Sequence, residues 1–481
     1  MTRKEFLGTL ASAAAAPQLP QTATKRNLVI ILADEHRFDM MSAIGHPWLQ
    51  TPNLDKLIGG GALFENAFVT TSLCSQSRAS ILTGQYAHSH GVLDETTPLP
   101  SSLVTFPRIL QQNGYRTGLI GKWHIGGEGD EPRTGFNRWV SFRGHGVYAN
   151  PTLNMDGDRR RVNGYITDLL TDEARKFIAG NSTLPFMLLL SHKAGNNDFV
   201  PHERHRASYS NDAIPYPKSI ANTEQNYRGR PQWVRRQRES WHGVDGMYNR
   251  RLNFDQLYRD YCRSLLSIDE SVGAVMDELR KRRLLNSTLV IYTADHGFQL
   301  GEHGLIDKRT MYEPSIRIPM IAHCPELIRP DTKIESMALN IDLAPTVLEA
   351  AGVQIPTMHG RSLLPLLRGS NHPVRTEFIY EYFWDREFPQ TPTTIGLRTA
   401  THSFMQYHGI WDLDELYDVE DDPEQMNNLL GTAQLRADNR SLLQRITEPE
   451  VRTLTEDLQT RLWRLFAESG GRWPYGRSSG L

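Results

Sequence analysis

The sequence predicts an α/β fold: one large, mixed but mostly parallel sheet with helices on both faces, then a small C-terminal antiparallel sheet with a packed helix. Three observations predict it. Short apolar runs such as 27–33 (NLVIILA) alternate with longer segments of helical periodicity, the pattern of strands covered on both faces. Polar clusters follow four of those runs directly, at 34–36, 121–124, 191–193 and 295–297. From about residue 374 the chain changes to strand-like segments at 377–383, 394–399 and 404–407, with a last helical stretch at 448–466.

Taken in order, residues 1–24 read as an export signal. Arg3 and Lys4 form a basic front, 6–16 is an Ala-rich apolar run, and Pro17 and Pro20 follow. The order Thr-Arg-Lys-Glu-Phe-Leu is similar to a twin-arginine signal, so the mature protein is expected outside the cytoplasm, periplasmic or secreted. The main domain is expected over 25–373. Within it, 27–33 is a buried strand, 51–63 a helix with proline at its start, and 78–82 opens another helix. Residues 106–112 are helical and stop at Asn113-Gly114. Strands at 117–120, 185–190, 288–292 and 318–322 alternate with helices at 168–179 and 257–282. That alternation requires a mainly parallel sheet with helices on both sides. Residues 200–255, rich in Arg, Pro and Trp, read as a functional loop or insertion. A small α+β unit is expected over 374–481.

Of the 481 residues, 53 are Lys or Arg and 55 Asp or Glu, a net charge of −2. That balance argues against a basic nucleic-acid binder, and no segment after the signal has the apolar length of a membrane span. The three cysteines, Cys74, Cys262 and Cys324, build no disulfide framework and fit no zinc spacing. One of them at least is unpaired or chemically engaged.

In open α/β sheets ligands bind beyond the carboxyl ends of strands, so the four polar clusters should converge on one cleft. Asp34 and Glu35 at one strand end, with Asp295 and His296 at another, offer oxygens suited to a hard divalent cation. Lys122 and His124 alternate after a third strand, a fixed cation beside a group that can move a proton. Cys74, four residues before Arg78 at the start of a helix, sits in a positive field that lowers a thiol pKa or holds an anion. Taken singly, each pattern also fits a capping, loop or core role.

Together these pieces resemble the sulfatase family of the alkaline-phosphatase-like superfamily. Cys74, Ser77, Arg78, Leu82, Thr83 and Gly84 match the family's Cys-x-Pro-Ser-Arg…Leu-Thr-Gly signature. Gly114-Tyr115, Thr117 and Gly121-Lys122-Trp123-His124 match its second motif. Ala33-Asp34, Ala294-Asp295-His296-Gly297, the run Leu300 to Leu305 with Asp307-Lys308-Arg309, and Glu415-Leu416-Tyr417-Asp418 complete a resemblance over roughly residues 26–430. The run through Lys308-Arg309 to Met311-Tyr312-Glu313, with Arg143 to Tyr148, looks like the glucosamine-6-sulfatase branch.

The resemblance implies a sulfuric ester hydrolase acting on a sulfated carbohydrate or aryl sulfate. Cys74 would be converted to formylglycine (3-oxoalanine) by a formylglycine-generating maturation enzyme, and its hydrated aldehyde would supply the nucleophile. One Ca²⁺ would be held by Asp34, Glu35, Asp295 and His296 with the residue at 74. Arg78, Lys122 and Lys308 would offset the sulfate charge, His124 would act as base, and His192 or His303 would face the leaving oxygen with Lys308. Arg78, Lys308, His303 and Asn196 are the expected substrate contacts. The chain departs from the family at Gln76, in place of Pro or Ala. It departs again at Gly195-Asn196, in place of Pro and a His often assigned as the acid for the leaving oxygen. A phosphonate or phosphate ester hydrolase of the same superfamily, or a glycan-binding member without turnover, are the alternatives.

Overall fold

The computed structural model describes residues 25–180, 182–250, 253–410, 412–431 and 442–472. The export signal expected at 1–24 lies outside the described residues. The fold follows from where the apolar runs can be buried. Strands β1 (Leu28–Ala33), β8 (Phe186–Ser191) and β9 (Leu289–Ala294) are buried at every position, as strands sandwiched between helices must be. With β4 (Arg116–Gly121) they form the parallel centre β9-β1-β8-β4 of a ten-stranded sheet.

On one side the sheet continues through β10 (Met320–His323), β2 (Ala62–Phe64) and β11 (Thr332–Ile334). On the other it continues through β5 (Arg138–Ser141), β6 (Thr152–Met155) and β7 (Asp158–Arg161). Antiparallel pairing enters only toward the edges, at β10 and at β6–β7. Two short strands, β3 (Ala67–Phe68) and β12 (Ala338–Leu339), pair separately. Helices Ile166–Ala179 and Phe254–Lys281 pack on one another. The second buries Leu257, Tyr261, Leu265, Ile268, Val272, Val275 and Leu279, spaced three or four residues apart.

Several expectations need correction. The helix expected over 51–63 is Pro52–Gly59, and residues 62–64 are strand β2. Gly59, Gly60 and Gly61 interrupt it, and a Cβ on Gly61 would lie 2.2 Å from the Ala322 carbonyl, which β2 must approach to pair. The helix expected from Arg78 begins four residues earlier, as Cys74–Thr83. The 200–255 stretch, read as a functional loop or insertion, carries short helices at Glu224–Tyr227, Gln232–Gln237 and Met247–Arg250.

Gly121 closes β4 at φ +118°, where a Cβ would stand 1.7 Å from the Ser191 carbonyl oxygen of β8. That oxygen accepts the Lys122 N–H at 2.8 Å. Gly121→Ala is therefore expected to cost about 3 kcal/mol or more, through strain and a lost ladder bond. Chemical denaturation of the variant against wild type checks it.

The C-terminal sheet is antiparallel, β13 (Glu377–Tyr382), β14 (Thr393–Thr399), β15 (His402–His408) and β16 (Glu415–Asp418), with the Pro449–Glu468 helix against it through Leu458, Leu462 and Phe466. Tyr380 meets Ser72 Oγ at 2.7 Å and Glu381 N–H donates to the Thr70 carbonyl at 2.9 Å, so this sheet is pinned to the loop before Cys74. His88 joins the same seam, bonding the Glu381 carboxylate through Nδ1 and the Ser469 carbonyl through Nε2 at 3.0 Å.

Burial works against a charge on His88, but the Glu381 carboxylate outweighs it and raises the pKa above the ordinary 6.5. A raised folded-state pKa adds stability that is full below pH 6.5 and lost as pH climbs through the raised value. Melting temperatures of wild type and His88→Gln should therefore converge as pH rises from 6 to about 9. A gap independent of pH would disprove the contribution of this pair.

Candidate active site

The carboxyl ends of β9, β1, β8 and β4 lie side by side, Ala294 level with Ala33 and Gly121 level with Ser191. The residues that follow them meet at one point, and the Cys74–Thr83 helix aims its first residue there. Cys74 is fully buried. Its Sγ lies 3.3 Å from His296 Nε2, 3.6 Å from Lys308 Nζ, 3.7 Å from Lys122 Nζ and 3.8 Å from Asp34 Oδ1. Burial pushes the thiol pKa up, but the Lys122 and Lys308 ammonium groups outweigh it and the net shift is downward.

Arg78, one helical turn on from Cys74, is the hub beneath. Its guanidinium donates to Asp295 Oδ2 through Nε at 3.0 Å, pairs with the same oxygen by charge at 2.9 Å from Nη2, and donates through Nη1 to Ser191 Oγ at 2.7 Å and the Lys122 carbonyl at 2.9 Å. It thereby ties three of the four strand ends together. Lys122 Nζ is 2.5 Å from Asp34 Oδ2. Lys308 pairs with Glu35 Oε1, which also accepts from Asn196 Nδ2 at 2.6 Å. Burial lifts the Glu35 pKa to about 7 against the pull of Lys308. Burial disfavours the charged form of His296, yet Asp295 and Cys74 raise it to about 9.

Glu35 (φ +54°) and His124 (φ +44°) adopt backbone conformations that side-chain-bearing residues rarely take. Both stand at strand ends in this cluster, where such strain tends to be kept for function.

Ligand atoms of Asp34, Cys74, Asp295 and His296 lie within 4.8 Å of one another, all fully buried. Two dry carboxylates with an imidazole fit a divalent cation, since buried carboxylates need a positive partner. Glu35 is beside this quartet and outside it. Its Oε1 is taken by Lys308 and Asn196, while its buried Oε2 has no hydrogen-bond partner.

Above the cluster opens a cleft of about 210 Å³. Its floor and near wall are Glu35, Lys308, Lys193 and Asn196. Its far wall is Trp241, His242 and Tyr248 from the 200–255 stretch, with Phe388 from the loop between β13 and β14. His242 stacks on Phe388 at 4.9 Å, and the Arg309 guanidinium lies 3.4 Å from the centroid of the Phe388 ring. The C-terminal sheet thus contributes directly to the cleft.

Most of the expected residues come together, and two do not. His192 turns away: its Nε2 meets Ser271 Oγ of the Phe254–Lys281 helix at 3.0 Å, and burial lowers its pKa to about 4. Strand alternation explains this, because Ser191 and Lys193 point to the site and the residue between them points to the opposite face. His303 is also elsewhere, packed on Tyr312 at 4.3 Å with its carbonyl accepting from Tyr227 at 3.0 Å. Neither is placed to face a leaving group. His124 is within the site, its ring 4.0 Å from that of His145; burial and Lys122 lower its pKa to about 3, so it is neutral at physiological pH.

His145, whose Nδ1 is 3.3 Å from Lys122 Nζ, and Lys193, Glu95, Arg309 and Phe388 join the site without having been expected there, whereas Trp241, His242 and Tyr248 fall in the stretch read as a functional loop. Lys193 carries a local signal, as the last member of the polar cluster 191–193 that follows β8.

The site is thus a cysteine at a helix start, ringed by two lysines, a histidine and an aspartate at the ends of parallel strands. The sulfatase family model matches residues 26–353, and the model described as N-sulphoglucosamine sulphohydrolase, C-terminal, matches 301–452. The chain belongs to the sulfatase family. This sulfatase is 30% identical to the N-acetylglucosamine-6-O-sulfatase of Bacteroides thetaiotaomicron, over 92% of this chain and 89% of that one. It is 29% identical to the N-acetylglucosamine-6-sulfatase of Homo sapiens, over 85% and 82% of the two chains. Among solved structures, one in complex with its substrate D-glucosamine-2-N,6-O-disulfate superposes with a TM-score of 0.82 at 28% identity, covering 93% of this chain and 98% of that one. The large mixed sheet and the separate antiparallel sheet are those of a sulfatase, and the chain is an enzyme. All three cysteines are free thiols and buried, so Cys262 and Cys324 are not paired. Among the described residues no helix is long and apolar enough to cross a membrane.

Proposed function

We propose that this sulfatase removes a 6-O-sulfate from glucosamine units of a sulfated glycan. The observation that carries the reading is the position of Cys74, with Lys122, Lys308 and His296 within 3.7 Å of its sulfur, beside a cleft of about 210 Å³ that Lys308 and Glu35 line. The relatives named above supply the sugar and the position of the ester. Conversion of Cys74 to formylglycine would supply an oxygen nucleophile toward sulfur. A Ca²⁺ held by Asp34, Asp295 and His296, with Glu35 at its side, would supply Lewis acidity.

The chain's own residues do the rest. Lys122 and Lys308 face the point where a sulfate must lie and offset its charge in a dry site, where such contacts are strongest. Arg78 acts as a positioning residue, holding Asp295 and the strand ends in place. His124, neutral and with its buried Nδ1 unpartnered, can accept a proton. Asn196 orients Glu35 and presents an amide to the cleft, an arrangement that donates a hydrogen bond without donating a proton. Residues 1–24 direct export, and a maturation enzyme acts on Cys74.

Mass spectrometry of the Cys74 peptide from protein made in its native host, together with sulfate release from N-acetylglucosamine-6-sulfate, tests the reading. An aldehyde at position 74 and sulfate turnover are expected. An unmodified thiol, or faster hydrolysis of aryl phosphate or phosphonate esters, would overturn it.

A further inference from the structure

Lys193 is 2% exposed and lines the cleft. The other cations of the site are each matched with a carboxylate: Arg78 with Asp295, Lys122 with Asp34, Lys308 with Glu35 and Arg309 with Asp307. Lys193 has no such match among the described residues. Its Nζ reaches only the Asn197 carbonyl at 3.5 Å and the face of Tyr148 at 4.5 Å. The carboxylates that act on it from a distance are Asp34, Asp198 and Glu35, of which Asp34 and Glu35 are already engaged, and burial with the nearby Lys122 lowers its pKa to about 8. An ammonium taken out of water without a counter-charge is costly, so a retained one points to an anion delivered from outside. That anion is distinct from the ester sulfate, because Lys122 and Lys308 already bracket Cys74 Sγ and Lys193 is not in contact with it. Lys193 and Lys308 line the same small cleft of about 210 Å³, which favours a second anion carried on the same ring as the ester.

We propose that Lys193, with Asn196 and Asn197 beside it, forms a second anion subsite that recognises a sulfo group on the same glucosamine ring as the ester at Cys74, the 2-N-sulfo group being the probe of choice. The assignment rests on the 6-O-sulfatase reading for which ring enters the cleft. A neutral N-acetyl group leaves the Lys193 charge uncompensated, whereas an N-sulfo group forms a charge-assisted hydrogen bond with it.

The test is calorimetric binding of glucosamine-2-N,6-O-disulfate and N-acetylglucosamine-6-sulfate to the Cys74→Ala protein with Ca²⁺ present, with and without Lys193→Gln or Lys193→Arg. The disulfate should bind at least about tenfold more tightly, a preference that Lys193→Gln reduces to below about threefold and Lys193→Arg largely keeps. No preference in the Cys74→Ala parent would overturn the subsite. So would an equal loss for both sugars with glutamine at 193, which would place Lys193 on the ester sulfate. The Arg variant carries the comparison if the Gln variant does not fold. Turnover of N-acetylglucosamine-6-sulfate by the matured enzyme separately tests the ester position. Its failure with the binding preference intact would remove that reading and leave the subsite.

Discussion

Cys74→Ala lowers sulfate release by at least about 10⁴-fold, because it removes the group proposed above to give rise to the nucleophile. The surrounding charges support that role. Sγ is the one atom that His296, Lys122, Lys308 and Asp34 all approach within 3.8 Å. Nothing else in the cluster can substitute: Ser75 Oγ donates to the His124 carbonyl at 2.9 Å, and Ser77 Oγ donates to the Asp295 carbonyl. Alanine creates little strain at the first position of a helix, and the ion pairs around it do not depend on the sulfur. Sulfate release by ion chromatography, with circular dichroism to confirm the fold, gives the result. Activity within about tenfold of wild type would place the nucleophile elsewhere.

Arg78→Ala destabilises the protein by about 3–5 kcal/mol, the usual consequence of stranding one member of a buried ion pair. Here the stranded group is Asp295, fully buried and held well below the usual carboxylate range by His296 and Arg78 against the effect of burial. The Ser191 hydroxyl and the Lys122 carbonyl lose their partner at the same time. Arg78→Lys is expected to rescue little, since one ammonium cannot reproduce a fork that serves Asp295, Ser191 and Lys122 at once. Urea unfolding measures the loss. Adding Asp295→Asn to Arg78→Ala should cost less than the two separate losses summed, because the second change removes the charge that the first one stranded.

The parts of this molecule that declare themselves in sequence are those built from consecutive residues. The β1, β8 and β9 cores are unbroken apolar runs, and the clusters after them are read in register with the strand ends. Where the reading failed, a local rule was overruled or misapplied. The helix expected through residue 63 stops because three glycines let β2 approach β10. The role expected of His192 rests on its chemistry alone, and a strand ending at Ser191 turns the next side chain to the opposite face. The β5–β7 meander escaped notice because β7, Asp158 to Arg161, is polar and exposed throughout and carries no burial signal. His145, Arg309 and Phe388 could not have been found locally. They reach the cleft from three separate loops, and only the packed chain brings them within range of Lys122 and Lys308.

The burial of Cys74 sets a clock. An enzyme that rewrites this side chain has to touch it, and in the finished fold there is no exposed surface at position 74 to touch. The lid on that position includes His296, which is 222 residues later in the chain. At a synthesis rate of about 5–20 residues per second, the interval between the birth of Cys74 and the birth of its cover is on the order of 10–45 seconds. If Cys74 is converted as proposed above, its maturation is a race against translation. The fraction of molecules that leave the ribosome competent should depend on how fast the chain grows, and slowing elongation downstream of Cys74 becomes a way to raise the yield of active enzyme without altering a single residue.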